Sequence, residues 1–224
     1  CPGGWCAPGQ EVMSETVVEW KPRPRNRIFI KLSGGRFFTI PEAEGESLEP
    51  GAVLSEEDIN RLSRVDQYLR GKDKALRLLS IRARSRYEVD NALSGMEIAP
   101  EIRSGILEEL RELGLIDDVR FARDFVDSRI EIKHLGPHRL KFELKKFGVS
   151  GSIIEQAIEE AFHEGRQEEL AWKIVRKKIG SRNVDEREVR RVSDLLRRRG
   201  LDYEIINRVA YELLRQQGRD ESFE

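Results

Sequence analysis

Nine basic side chains are the residues here best suited to chemistry, and the chemistry they suit is recognition of anions. Arg129, Lys133, Arg139, Lys145 and Lys146 fall along one stretch, and Arg176, Lys177, Lys178 and Arg182 along another. Arg139 and Lys146 are spaced to share a helical face, with Lys145 beside them. Such an edge attracts a phosphate backbone or an acidic protein face. Arg129 has a second role open to it, because it follows Phe121 and Phe125 at helical spacing. Its stem would pack on the core and its head would pair with an acid such as Glu143.

No catalytic constellation accompanies these cations. There is no phosphate loop of the GxxxxGK[ST] form, Ser33-Gly34-Gly35 reads as a turn, and no Ser/His/Asp or Cys/His set stands out. His134 and His138 are four residues apart, but no cysteine joins them and Pro137 falls between, so they read as solvated or capping groups. Asp117 and Asp118 read as a helix cap rather than a metal pair. The expectation is a protein that is not an enzyme and uses no cofactor or metal.

Two helices must carry the first basic stretch. The first runs from about Asp118 to Ile132, with Phe121, Ala122, Phe125, Val126 and Ile130 along one face. The second opens at Gly136-Pro137, carries Leu140, Leu144 and Phe147 inward, and ends at Gly148. Upstream, IFIKL and RFFTI around a Ser-Gly-Gly turn predict a β-hairpin, to which residues 16–20 could add a strand. A helix is predicted after Ser55, through Leu69 towards Leu76, with a break near Gly71.

A repeat underlies the second half. Phe147-Gly148-Val149-Ser150 precedes Ile153, Ile154, Ala157 and Ile158, and 52 residues later Arg199-Gly200-Leu201-Asp202 precedes Ile205, Ile206, Val209 and Ala210. A weaker copy runs through Ile98, Ala99, Ile102, Ile106 and Leu107, with Glu97 in place of the glycine. The pattern predicts three three-helix blocks at 74–115, 116–163 and 167–215, stacked on a continuous core. Residues 27–73 would form the hairpin and its helix, residues 1–26 a disordered stretch or extension, and residues 216–224 a disordered tail. Trp172 and Phe162 read as core. Few exposed aromatic residues are expected, which argues against a base-stacking binder.

Charged residues are 36% of the chain, yet the net charge is only −1. The charges alternate along the chain: net −7 over 88–127, +4 over 129–146, −5 over 147–172 and +7 over 173–199. Binding to nucleic acid would therefore be local rather than generic. Arg197, Arg198 and Arg199 precede a glycine cap, where cations also suit a helix C-terminus. The two cysteines, Cys1 and Cys6, lie in a segment without periodicity ahead of Met13, and the body has none. With no apolar run long enough to span a membrane, a cytoplasmic protein is expected.

GLIDDVRFARDFVDSRI followed by GPHRLKFELKKFGV resembles the signature of the RecX family, bacterial regulators of the RecA recombinase. Gly114, Leu115, Ile116, Asp117, Asp118, Phe121, Ala122, Phe125, Arg129, Gly136, Arg139, Leu140, Glu143, Leu144 and Gly148 carry the resemblance. SIRARSRYEVDNAL is similar to the family's upstream segment, with Val89 in place of the usual leucine. The resemblance covers residues 74–214, and 27–70 resembles an N-terminal extension of some members. It implies a mainly α fold of tandem three-helix repeats in an elongated, curved array. It also implies a regulator that binds the RecA–single-stranded-DNA filament and inhibits its ATP hydrolysis, strand exchange and coprotease activities; a monomer is expected. A helical module that binds DNA directly, without RecA, is the alternative.

Overall fold

In the computed structural model, residues 14–180 and 185–220 are described, with side chains to residue 215. The chain divides into two units. The first takes in residues up to Ile81 together with Asp90–Leu110, and the second takes in Arg82–Val89 and residues from Arg111 onward.

The first unit opens with β1 (Glu15–Arg23), β2 (Arg27–Leu32) and β3 (Phe37–Pro41). A short helix α1 (Glu42–Gly45), strand β4 (Val53–Leu54) and helix α2 (Glu56–Ile81) follow. The strands form an antiparallel sheet in the order β3-β2-β1-β4. Residues 15–23 thus belong to the sheet rather than to a disordered end, because pairing of β1 with both β2 and β4 satisfies its backbone. Alternation in β2 turns Ile28, Ile30 and Leu32 inward, where they form a core with Val17, Phe38, Ile40, Ile59 and Leu62.

Helix α2 begins in a capping box: the Asp58 amide donates to the Ser55 hydroxyl, and the Ser55 amide to the Asp58 carboxylate. It runs unbroken through Gly71. A Cβ on Gly71 would stand 2.6 Å from Ile106 Cδ1 and 2.9 Å from Ile98 Cδ1. The glycine thus marks close packing rather than the predicted break, and the boundary expected at residue 73 lies inside a continuous helix. Buried Asp66 ties α2 to the sheet, accepting from the Thr39 amide at 2.8 Å and Arg70 Nε at 2.7 Å. Arg27 reaches Asp73 through both terminal nitrogens, at 2.5 and 2.9 Å. Helices α3 (Arg86–Ser94) and α4 (Pro100–Glu112) follow, and the division between the units passes through α3.

The second unit contains α5 (Asp118–Lys133), α6 (Pro137–Lys146) and α7 (Gly151–Ala161). Then come α8 (Arg166–Ile179), α9 (Glu186–Arg199) and α10 (Tyr203–Asp220). Helix α10 extends to Asp220, beyond the expected start of a disordered tail at 216. One hydrophobic cluster runs from Phe121 to Leu213 through all six helices. The repeat has a backbone counterpart in left-handed residues at matching places: Glu97 at φ 56°, Gly148 at 67° and Gly200 at 84°.

Candidate anion-binding groove

The GLIDD stretch does structural work at two helix starts. Asp117 caps its own helix, accepting from the Arg120 amide at 2.9 Å. Asp118 caps α3 instead, accepting from the Arg86 amide at 2.8 Å. Fully buried Ser85 completes this corner. Its hydroxyl donates to the Phe147 carbonyl at 2.6 Å and accepts from the Glu88 amide. Tyr87 lies so close to Gly148 that a Cβ there would stand 2.3 Å from the ring.

The α5–α6 corner is joined to the end of α9 by backbone contacts. The Gly136 amide donates to the Arg199 carbonyl at 2.8 Å, and the His138 amide to the Gly200 carbonyl at 3.0 Å. The Arg199 guanidinium donates to the Lys133 carbonyl. His138 Nε2 is 2.9 Å from an Asp202 carboxylate oxygen, which Gln167 also holds through its other oxygen.

This junction forms a groove of about 830 Å³. One wall is Lys133, Leu135, His138, Arg139, Phe142 and Glu143, and the other is Leu195, Arg197, Arg198, Arg199 and Gly200. Five permanent cations thus face one carboxylate. Concentrating like charge in a concave surface raises the local potential for anions. Helix α9 ends here as well, and its C-terminal dipole lowers the repulsion among the three arginines.

The predicted basic residues separate into groups. Lys133 and Arg139 line the groove. Arg129 turns to Glu143 at 3.6 Å with its guanidinium over Phe125 at 4.8 Å, and Arg139 reaches the same carboxylate at 3.2 Å. Arg129 is therefore a packed residue that helps fix Glu143, in line with the stem-and-head role its spacing suggested. Lys146 sits over Phe142, with Nζ 4.4 Å from the ring centre, and Arg139 lies 5.5 Å from the same ring. Lys145 is exposed on the same helix outside the groove lining. Arg176, Lys177 and Lys178 are exposed at the end of α8 and do not line the groove, and Arg182 lies outside the described residues.

Sequence reasoning missed Arg197 and Arg198 as groove residues and Phe142 as an exposed ring. Phe142 is 50% exposed, contrary to the expectation that aromatic residues would be hidden. It sits between Leu140 and Leu144, off their buried face, and the two cations over it were the available signal. Among the described residues, no group of three or more His, Cys, Asp or Glu could hold a metal ion, and no helix is long and apolar enough to cross a membrane.

Comparison with known proteins gives this groove a family context. Residues 72–110 match the model of the first three-helix domain of RecX, and residues 117–158 that of the second. A regulatory protein RecX from Thermobifida fusca is 30% identical over 183 residues, 81% of this chain and 94% of that protein. One from Oceanobacillus iheyensis is 30% identical over 219 residues, 95% of this chain and 80% of that protein. Among solved structures, a regulatory protein RecX superposes with a TM-score of 0.63 at 23% identity, covering 86% of this chain and 97% of its own, which bears on the fold. RecX from Lactobacillus salivarius gives 0.57 at 27% identity, covering 66% and 97%. With relatives of this identity spanned over most of their length, and a mainly helical fold built of the same three-helix domains, the chain belongs to the RecX family.

Proposed function

We propose that this protein is a regulator that binds the RecA–single-stranded-DNA filament and inhibits its ATP hydrolysis, strand exchange and coprotease activities. The observation that carries this reading is the cationic groove between α6 and α9, in a chain whose relatives are named regulatory proteins. A filament offers such a groove either phosphates or acidic protein surface. Cations at its rim would speed association and set register. The test is RecA ATPase on single-stranded DNA with increasing protein. Inhibition at substoichiometric protein is expected, and the absence of both inhibition and any change in filament length would remove the reading.

A direct DNA-binding role without RecA is the second reading. It is favoured by Phe142, a half-exposed ring held between Arg139 and Lys146 at the groove. That role requires tight binding to DNA alone, with an affinity that falls steeply with salt.

A further inference from the structure

The outer face of the N-terminal sheet carries an aromatic and cationic surface remote in sequence from the groove. The alternation that sends Ile28, Ile30 and Leu32 inward leaves Phe29 and Lys31 facing away from the core. Register places Lys21 opposite Phe29, and Phe37 opposite Lys31. The Phe29 and Phe37 rings are stacked at 6.0 Å between centres, with 30° between planes. Arg23 lies over Phe29, 5.3 Å from its centre. Phe37 is 64% exposed, so the fold does not use most of its apolar area.

The electrostatics of this face favour an anion. Lys21, Arg23 and Lys31 are exposed on it, and Glu19 is the acid among them. The hydrogen bond from Lys21, aided by the nearby charges of Lys31 and Arg23, holds the Glu19 carboxyl below its ordinary value. Glu19 is thus an internal partner for Lys21, and the balance of the face remains positive. An exposed ring beside a partly buried one on an antiparallel sheet, edged by Lys and Arg, suits unpaired bases joined by phosphates. Bases already stacked inside a duplex cannot reach such rings, and the cations match a phosphate chain better than an apolar partner.

We infer that this face is a stacking platform for single-stranded nucleic acid, with successive bases on Phe37 and Phe29 and the flanking phosphates against Lys21, Arg23 and Lys31. This contact uses none of the residues of the α6–α9 groove and does not require RecA.

The test uses the full chain without RecA and a fluorescein-labelled oligothymidylate, read by anisotropy at several salt concentrations. Phe37→Ala is expected to weaken binding about tenfold with an unchanged salt slope, and Phe37→Trp to retain it. Lys21→Glu with Lys31→Glu is expected to make the salt slope shallower. An oligonucleotide carrying 5-iodouracil is expected to crosslink to β2 or β3, in the wild type and equally in an Arg197→Glu/Arg198→Glu variant. Wild-type affinity in a folded Phe37→Ala variant, or crosslinks wholly outside residues 19–37, would overturn the platform. RecA ATPase inhibition measured on the same variants reports on the groove separately, so the two readings fail independently.

Discussion

Gly136 and Gly200 meet backbone to backbone. A Cβ on Gly136 would stand 2.5 Å from the Gly200 carbonyl oxygen, and one on Gly200 would stand 2.4 Å from the Arg139 amide nitrogen. The obstacle in both cases is main chain, which cannot swing aside as a side chain can. Gly136→Ala should therefore push the two walls of the groove apart and destabilise the protein by about 1–3 kcal/mol. Gly200→Ala adds the strain of a left-handed φ of 84°. Urea unfolding checks both, and a midpoint equal to wild type in either would show that the close approach is not needed.

Arg197 and Arg198 are exposed at the groove and free of the backbone role that Arg199 plays. Among the described residues Arg197 pairs with Asp194, at 3.4 Å on the surface, a contact worth little to stability. Arg197→Glu/Arg198→Glu should raise the concentration needed for half inhibition of RecA ATPase about tenfold or more, with melting unchanged. Charge reversal at Arg139, Lys145 and Lys146 should also weaken inhibition. If the folded double variant inhibits like wild type, the groove is not the contact.

Glu97 holds a left-handed backbone at φ 56° without being glycine. Its counterparts in the repeat, Gly148 and Gly200, avoid the steric cost of a Cβ there. Glu97→Gly should raise stability by about 0.5–1 kcal/mol, since relief of strain outweighs the extra freedom of the unfolded chain. Thermal melting checks the sign, and a lower melting point would contradict it.

Asp118→Ala should cost about 1 kcal/mol and loosen a helix that does not contain the residue. The readout that separates this from a local effect is amide exchange at Arg86, whose N–H the carboxylate accepts at 2.8 Å. Faster exchange at Arg86 is expected. For Asp117→Ala, the faster amide should be that of Arg120.

Stability should fall in acid through two carboxylates of the first unit. Hydrogen bonding to Arg27 holds the Asp73 carboxyl below its ordinary value, and bonds from Lys72 and then Tyr68 do the same for Glu109. The folded protein therefore binds these protons less readily than the unfolded chain. The stabilisation is complete above the ordinary carboxylate range, about pH 4, and is lost as pH falls through the lowered values. Asp73→Asn should lower stability at neutral pH and flatten this acid limb. An unaltered pH profile would exclude Asp73 as its source.

Helix identity was legible wherever periodicity and caps agreed. Phe121 to Ile130 marked one face, and Asp117 and Gly136-Pro137 marked the starts, as the structure has them. Gly71 misled because a glycine in a helix reads as a break unless the approaching Ile98 and Ile106 side chains are known. Strand β1 was only partly legible, since Val17 is followed by a register shift before Glu19 that disrupts alternation. The groove was half legible. Lys133 and Arg139 announced themselves on a basic helix edge, but no local pattern indicates that Gly200 stacks on Gly136. Arg197 and Arg198 become groove residues only through that distant contact, and on their own they read as cations at a helix end.

The corner at Ser85 also sets an order of events during synthesis. Helix α3 has nine residues, too few to hold itself together in water. The Arg86 amide finds its acceptor in Asp118, and the Ser85 hydroxyl finds its acceptor in the Phe147 carbonyl. Both partners leave the ribosome after α3 does. Ser85 and Glu88 can close the first turn of α3 locally, but its bonds to Asp118 and to the Phe147 carbonyl form only once α5 and α6 have been made.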